Sequence, residues 1–194
     1  MATPTQVKEL RRITGCGILE CNEALKEAND DIDKAIILLR KKGAVKAAKK
    51  ADRDTSEGII ASYVHTNGKI AVLVSLLCET DFVARNEVFQ ELGKNIALHI
   101  AAMSPLVVSP DDVGESELAA ERDIALDQAK ASGKSEEIQA KIIEGKLKAF
   151  KEERSLLTQP FVKDPAKTIE QLIQAAIQEL GENITVKEFS RLSI

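Results

Sequence analysis

Few residues in this chain are of types that carry chemistry, and their spacing narrows the choice further. His65 and His99 are the only histidines, and Cys16, Cys21 and Cys78 the only cysteines. The cysteines form an odd set without C-x-x-C spacing, so a zinc site is not expected and the three read as reduced thiols in a cytosolic protein, two or three of them partly buried. His65 ends an expected strand and His99 stands one helical turn from Met103; both read as packing residues. No G-x-x-x-x-G-K-[ST], G-x-G-x-x-G or G-x-S-x-G motif occurs, and the acids show no pairing that marks a catalytic dyad. No catalytic residue, metal site or cofactor is therefore assigned, and an enzyme is the weaker class.

One stretch stands apart. Cys78-Glu79-Thr80-Asp81-Phe82-Val83-Ala84-Arg85-Asn86 joins an apolar strand to an amphipathic helix, and Phe82 falls in the junction, before the helical stripe begins. Two readings are open. Phe82 plugs the end of the core while Asp81 caps a helix, or a rigid aromatic beside a carboxylate forms a wedge presented to a partner. The residues alone favour the first.

The surroundings are read from composition and periodicity. The chain has 194 residues, 44% apolar and 30% charged, with 3% aromatics, no Trp and a formal charge of -4. This is ordinary for a soluble globular protein, and it fits neither a nucleic-acid binder nor a base-stacking surface. The longest apolar stretch, Ile70 to Cys78, is too short to span a bilayer, and no signal peptide is apparent, so a cytoplasmic protein is expected.

Residues 1–43 read as three short helices. Thr3-Pro4-Thr5-Gln6 forms a capping box, Val7, Leu10 and Ile13 share a face, and Gly15 and Gly17 break the first helix. Ile18, Cys21, Leu25 and Ala28 stripe the second; Asp30 or Asp31 caps the third, striped by Ile32, Ala35, Ile36 and Leu39 and ended by Gly43. Residues 40–53 carry Arg40, Lys41, Lys42, Lys46, Lys49, Lys50 and Arg53 against the single acid Asp52, and 44–56 read as a basic linker helix. Residues 57–194 form the core. Asn67-Gly68 is the favoured type I′ hairpin pair and sets Tyr63 against Val72, Ala61 against Val74 and Ile59 against Leu76, with that face covered by helices.

A helix over about 86–103 follows, striped by Phe89, Leu92, Ile96, Ile100 and Met103. Residues 115–154 form a helical hairpin divided near Ser132-Gly133, its second helix carrying Ile138, Ile142, Leu147 and Phe150. A loop over 156–165 leads to a helix opened by Thr168, with Ile169, Leu172, Ile173, Ala176, Ile177 and Leu180 on one face, and Gly181 stops it. Ile184, Val186 and Phe189 belong to a last strand added to the hairpin. The class is α+β, with a three-stranded antiparallel sheet.

Several segments resemble one family. Thr14-Gly15-Cys16-Gly17-Ile18-Leu19-Glu20-Cys21-Asn22-Glu23-Ala24-Leu25 and Gly43-Ala44-Val45-Lys46-Ala47-Ala48-Lys49-Lys50-Ala51 are similar to the N-terminal signature of the elongation factor Ts family. Cys78 to Arg85 resembles its second signature, whose core is T-D-F-V, and Gly145-Lys146 and Gln159-Pro160-Phe161-Val162-Lys163-Asp164 also fit. The similarity runs in order over nearly the whole chain. Cys16 replaces the usual small residue between the glycines, and Ile18-Leu19 the usual methionine pair; both swaps keep a packing role.

The resemblance implies a three-helix domain like a ubiquitin-associated module ahead of a single core. It further implies a homodimer with paired sheets and exchange of guanine nucleotide on elongation factor Tu. It reverses the preference at the junction: Thr80, Asp81, Phe82 and Val83 become a tip that disturbs the partner's Mg2+ site, while Arg11, Ile18 and Leu19 grip its nucleotide-binding domain. No stable nucleic-acid or membrane partner is implied. The rivals are a ribosome- or RNA-associated module using residues 40–53, and a ubiquitin-binding adaptor; the latter leaves Thr80 to Val83 unexplained.

Overall fold

The computed structural model describes residues 2–131 and 133–194, so Ser132 lies outside the described residues. The chain divides into two compact units, one running up to Leu98 together with Glu170–Ile194, the other His99–Ile169.

The first unit opens with three helices, α1 (Pro4–Thr14), α2 (Ile18–Glu27) and α3 (Ile32–Ala48). Thr3 and Gln6 form the expected capping box, and Gly15, at φ 69°, closes α1. Asp31 caps α3 by accepting the Lys34 N–H at 3.0 Å. Val7, Leu10, Cys21, Leu25, Ala28, Ala35 and Leu39 pack into one core. Ile13 and Ile18, expected on the inward faces, are exposed at 42% and 54%, because a core this small closes over Leu10 and Cys21 without them. Gly43 does not end α3, which runs on to Ala48. The good helix formers Ala44, Lys46, Ala47 and Ala48 outweigh a glycine cost of about 1 kcal/mol.

The sheet of the same unit has three strands, 57–64, 70–78 and 184–193, with 70–78 in the centre. Strands β1 (Glu57–Val64) and β2 (Ile70–Cys78) pair antiparallel in the expected register, Ile59 opposite Leu76, Ala61 opposite Val74 and Tyr63 opposite Val72. The turn differs from expectation. His65 and Ile70 close it, the Gly68 N–H donates to the His65 carbonyl at 2.8 Å, and only Gly68, at φ 68°, is left-handed. Asn67 keeps a negative φ and accepts the Lys69 N–H through its side chain at 2.9 Å. That local bond offers the asparagine an alternative to the type I′ geometry without altering the register.

Strand β5 (Ile184–Ser193) joins β2 with a bulge: Leu76 pairs with Val186, but Ser75 with Glu188, leaving Lys187 extra. This explains the uneven spacing of Ile184, Val186 and Phe189. The bulge resets the alternation, so all three oppose Cys78, Leu76 and Val74 on one face.

Helix α5 (Glu87–Met103) covers that face. Phe89, Leu92, Ile96 and Ile100 are buried, whereas Met103, expected in the same stripe, is 45% exposed. The helix approaches most closely at Gly93, where a Cβ would lie 2.9 Å from the Ala61 Cβ; only glycine permits that contact. Helix α8 (Ile169–Leu180) buries Ile169, Ile173, Ala176 and Ile177 as its spacing predicts, while Leu172 and Leu180 of the same expected stripe are half-buried.

In the second unit, α6 (Glu115–Ala131) and α7 (Glu136–Arg154) form the expected hairpin. No residue of α7 is buried, and Ile138 is 45% exposed. Residues 156–165, expected as loop, instead form a 3-10 turn at Leu156–Thr158 and a ribbon of β3 (Pro160–Phe161) and β4 (Asp164–Thr168). Burial of Leu156 and Phe161 gives the ribbon its anchor.

His99 is wholly buried in this unit, as a packing residue should be. Its Nδ1 accepts the Val162 N–H at 3.2 Å, so the ring proton sits on Nε2, 3.0 Å from Gln159 Oε1. Burial lowers its pKa from the ordinary 6.5. Below about pH 6.5 the unfolded ring binds a proton that the folded ring refuses. Stability is therefore retained above that value and lost as pH falls toward the folded pKa. Melting curves between pH 7 and pH 5 should show the midpoint falling more steeply for the parent chain than for His99→Gln.

Candidate functional site

The site grows from the end of β2. Cys78 is buried, and its thiol donates to the Thr80 carbonyl at 3.2 Å. Thr80, in extended geometry, caps the single turn α4 (Asp81–Ala84) by accepting the Val83 N–H at 3.4 Å. The cap is thus Thr80 and not Asp81, which instead pairs with Arg85 at 3.0 Å. Both partners of that pair are well exposed, so it contributes at most about 1 kcal/mol.

Ala84 is buried at the inner side of the turn. Positions two apart on a helix differ by about 200°, so fixing Ala84 inward turns Phe82 outward. Phe82 is 82% exposed and does not plug the core; Val83 is half-buried. An exposed phenylalanine costs its own protein apolar hydration, and little of its burial is recovered within the chain.

The base of the turn is held from across the sequence. Glu182 Oε2 accepts the N–H groups of Glu79 and Thr80 at 3.2 and 3.0 Å, and Oε1 accepts the Thr80 hydroxyl at 2.7 Å. Glu79 Oε1 accepts the Asn183 N–H at 2.6 Å and faces Arg53 at 3.4 Å. The buried Asn183 amide donates to the carbonyls of Ala51 and Arg53 at 3.3 and 3.0 Å. Sequence reasoning missed Glu182 and Asn183. They sit between the α8 stop at Gly181 and β5, where neither periodicity nor a motif marks them.

Arg11, Ile18 and Leu19 lie on a separate element, the bundle surface on either side of the Gly15–Gly17 turn. Arg11 is exposed, and Ile18 and Leu19 are 54% and 77% exposed. Of the basic run, Lys42 pairs with Glu27 at 2.7 Å, Lys46 with Glu20, Lys50 with the Gly181 carbonyl and Arg53 with Glu79. The Lys46 contact is the main cause that lowers the Glu20 pKa. More than half of the run is thus turned toward acceptors of its own chain.

His65 packs at the hairpin end, its Nδ1 3.0 Å from the Tyr63 hydroxyl. All three cysteines are free and buried, and burial pushes each thiol above its ordinary range. A thiol so placed is a poor nucleophile. Among the described residues no cluster of three or more His, Cys, Asp or Glu could hold a metal ion, and no helix is long and apolar enough to cross a membrane.

These features define the class: a small α+β protein with a three-helix bundle ahead of a sheet core, whose central strand ends in an exposed aromatic turn. The chain belongs to the elongation factor Ts family. The model of that family, Elongation factor TS, matches residues 5–194. The elongation factor Ts of Thermosipho melanesiensis is 55% identical over 194 residues, covering 100% of this chain and 99% of that protein. That of Fervidobacterium nodosum is 54% identical over 188 residues, covering 97% and 95%. That of Rubrobacter xylanophilus is 48% identical over 195 residues and covers both chains fully.

Proposed function

We propose that this chain is the guanine-nucleotide exchange factor of elongation factor Tu, acting in the cytoplasm as a non-catalytic partner in translation elongation. The observation that carries this is Phe82, 82% exposed on a turn anchored at both ends. The ring inserts between side chains of the partner, with Asp81 beside it, and displaces the elements that hold Mg2+ and the β-phosphate. Mg2+ neutralises phosphate charge, so loosening its site loosens GDP. Arg11, Ile18 and Leu19 supply binding energy on the nucleotide-binding domain, and the core holds a second domain. That energy offsets the distortion at Phe82.

Linkage makes the effect reciprocal: the factor weakens GDP by the same ratio by which GDP weakens the factor. It accelerates exchange in both directions and does not drive it. The direct test is release of labelled GDP from elongation factor Tu with and without this chain. Unchanged release would overturn the proposal. An RNA- or ribosome-binding module based on residues 40–53 has less support, since Lys42, Lys46, Lys50 and Arg53 already have partners in the chain.

The factor is proposed to work as a homodimer with paired sheets. The sheet face away from α5 exposes Ile60, Val64, Leu73 and Leu192 at 65%, 65%, 53% and 71%. A row of this kind on a sheet favours burial against a second copy. In sedimentation at micromolar concentration the parent chain should run as a dimer and Leu73→Glu as a folded monomer; a monomeric parent would sink the idea. The working division is then a bundle at 1–43, a linker at 44–56 and a core at 57–194 that dimerises.

A further inference from the structure

We propose that Glu182 is a positioning residue for nucleotide exchange: its carboxylate clamps the base of the Phe82 turn and makes the ring a rigid wedge. The inference rests on the exchange role proposed above for the Thr80–Val83 tip.

The geometry is specific. Three donors from two consecutive residues, the Glu79 and Thr80 amides and the Thr80 hydroxyl, converge on one carboxylate at 2.7 to 3.2 Å. Consecutive amides pointing at a single anion fix the backbone of both residues, and charge-assisted bonds of this kind are stronger than neutral ones. The hydroxyl that donates to Glu182 also accepts the Val83 N–H. The carboxylate therefore orients the cap, the cap closes the turn, and the turn aims Phe82.

Glu182 owes its own place to its neighbours. Gly181, at φ 82°, ends α8, and Asn183 is buried and tied to Glu79, Ala51 and Arg53. The clamp thus stands on the junction where the end of α8, the chain leaving the bundle and the start of β5 meet. A wedge deforms its target only if it is the stiffer body; a loose turn would yield instead, and the binding energy would reorder the tip rather than the partner.

Glu182→Gln and Glu182→Ala, each beside Phe82→Ala, test this. Gln keeps one oxygen for the two amides and turns its NH2 group to the Thr80 hydroxyl, which can accept it, so it is the conservative variant that retains most of the clamp, while Ala removes it. GDP release from elongation factor Tu is measured against factor concentration. A lowered fraction of folded factor shifts the half-saturating concentration and leaves the plateau; a slack wedge lowers the plateau. Glu182→Ala should lower the plateau roughly tenfold, with half-saturation changed by less than about twofold, and Glu182→Gln should restore most of that plateau. Independently of the partner, the Glu79 and Thr80 amides should exchange with solvent about tenfold faster or more in Glu182→Ala. A plateau and amide protection left intact by Glu182→Ala, with Phe82→Ala lowering the plateau, would overturn the role of Glu182 alone. A plateau unmoved by Phe82→Ala would overturn the reading of the tip, and the clamp with it.

Discussion

Phe82→Ala is expected to slow stimulated GDP release by roughly 30-fold or more while the melting temperature of this protein moves by no more than about 2 °C. The two halves have separate physical causes. Phe82 is 82% exposed, so truncation removes little buried surface and leaves no cavity; surface changes of this kind fall within about 0.5 kcal/mol, which in a chain of this length is one or two degrees. Against a partner the same ring is a central aromatic anchor. Truncating such an anchor costs about 2–4 kcal/mol of interaction, and each 1.4 kcal/mol is about a factor of ten. If the loss falls on the distorted complex rather than on first contact, it appears in the release rate. Equal damage to folding and to exchange would mean that Phe82 supports the core after all.

Phe89→Ala should do the reverse. It lies in the first turn of α5, and it is completely buried. Its removal opens a cavity between α5 and the sheet, where Gly93 already brings the helix against Ala61 and Ile59. A helix seated so closely cannot settle further to fill the space. Such truncations cost about 3–5 kcal/mol, a fall in melting temperature of about 10 °C or more. At a temperature where the variant is folded, its release plateau should stay near that of the parent, because α4 keeps its own anchors in Thr80, Ala84 and Glu182. Thermal melts and release assays on the pair separate the two roles. A variant with parent-like stability and a lost plateau would contradict this assignment.

The contrast shows where reading the residues was sufficient. The stripe Phe89, Leu92, Ile96, Ile100 has helical period and is buried as such. The β1–β2 register follows from apolar alternation on two strands of matching length, and it survived a turn that took another geometry. The caps at Thr3 and Asp31 were legible because a cap is a local bond between a side chain and an amide a few residues on. The irregular spacing before Phe189 contained the bulge, but only pairing with β2 showed on which residue it falls.

Local pattern could not decide which apolar residues remain outside. Ile13, Ile18 and Met103 follow the same periods as their buried neighbours; exclusion depends on how much surface the facing elements can cover, which is a property of the assembled unit. The sequence by itself determined the α+β class, the order of the main helices and of the three sheet strands, the β1–β2 register and the family signature around Thr80 to Val83, since all of these reside in neighbouring residues and their period. The tertiary structure alone decided that Phe82 points outward and that Glu182 holds its turn. That contact joins Thr80 to a residue 102 positions away, and bonds of such separation form only where folding brings the end of α8 beside the end of β2.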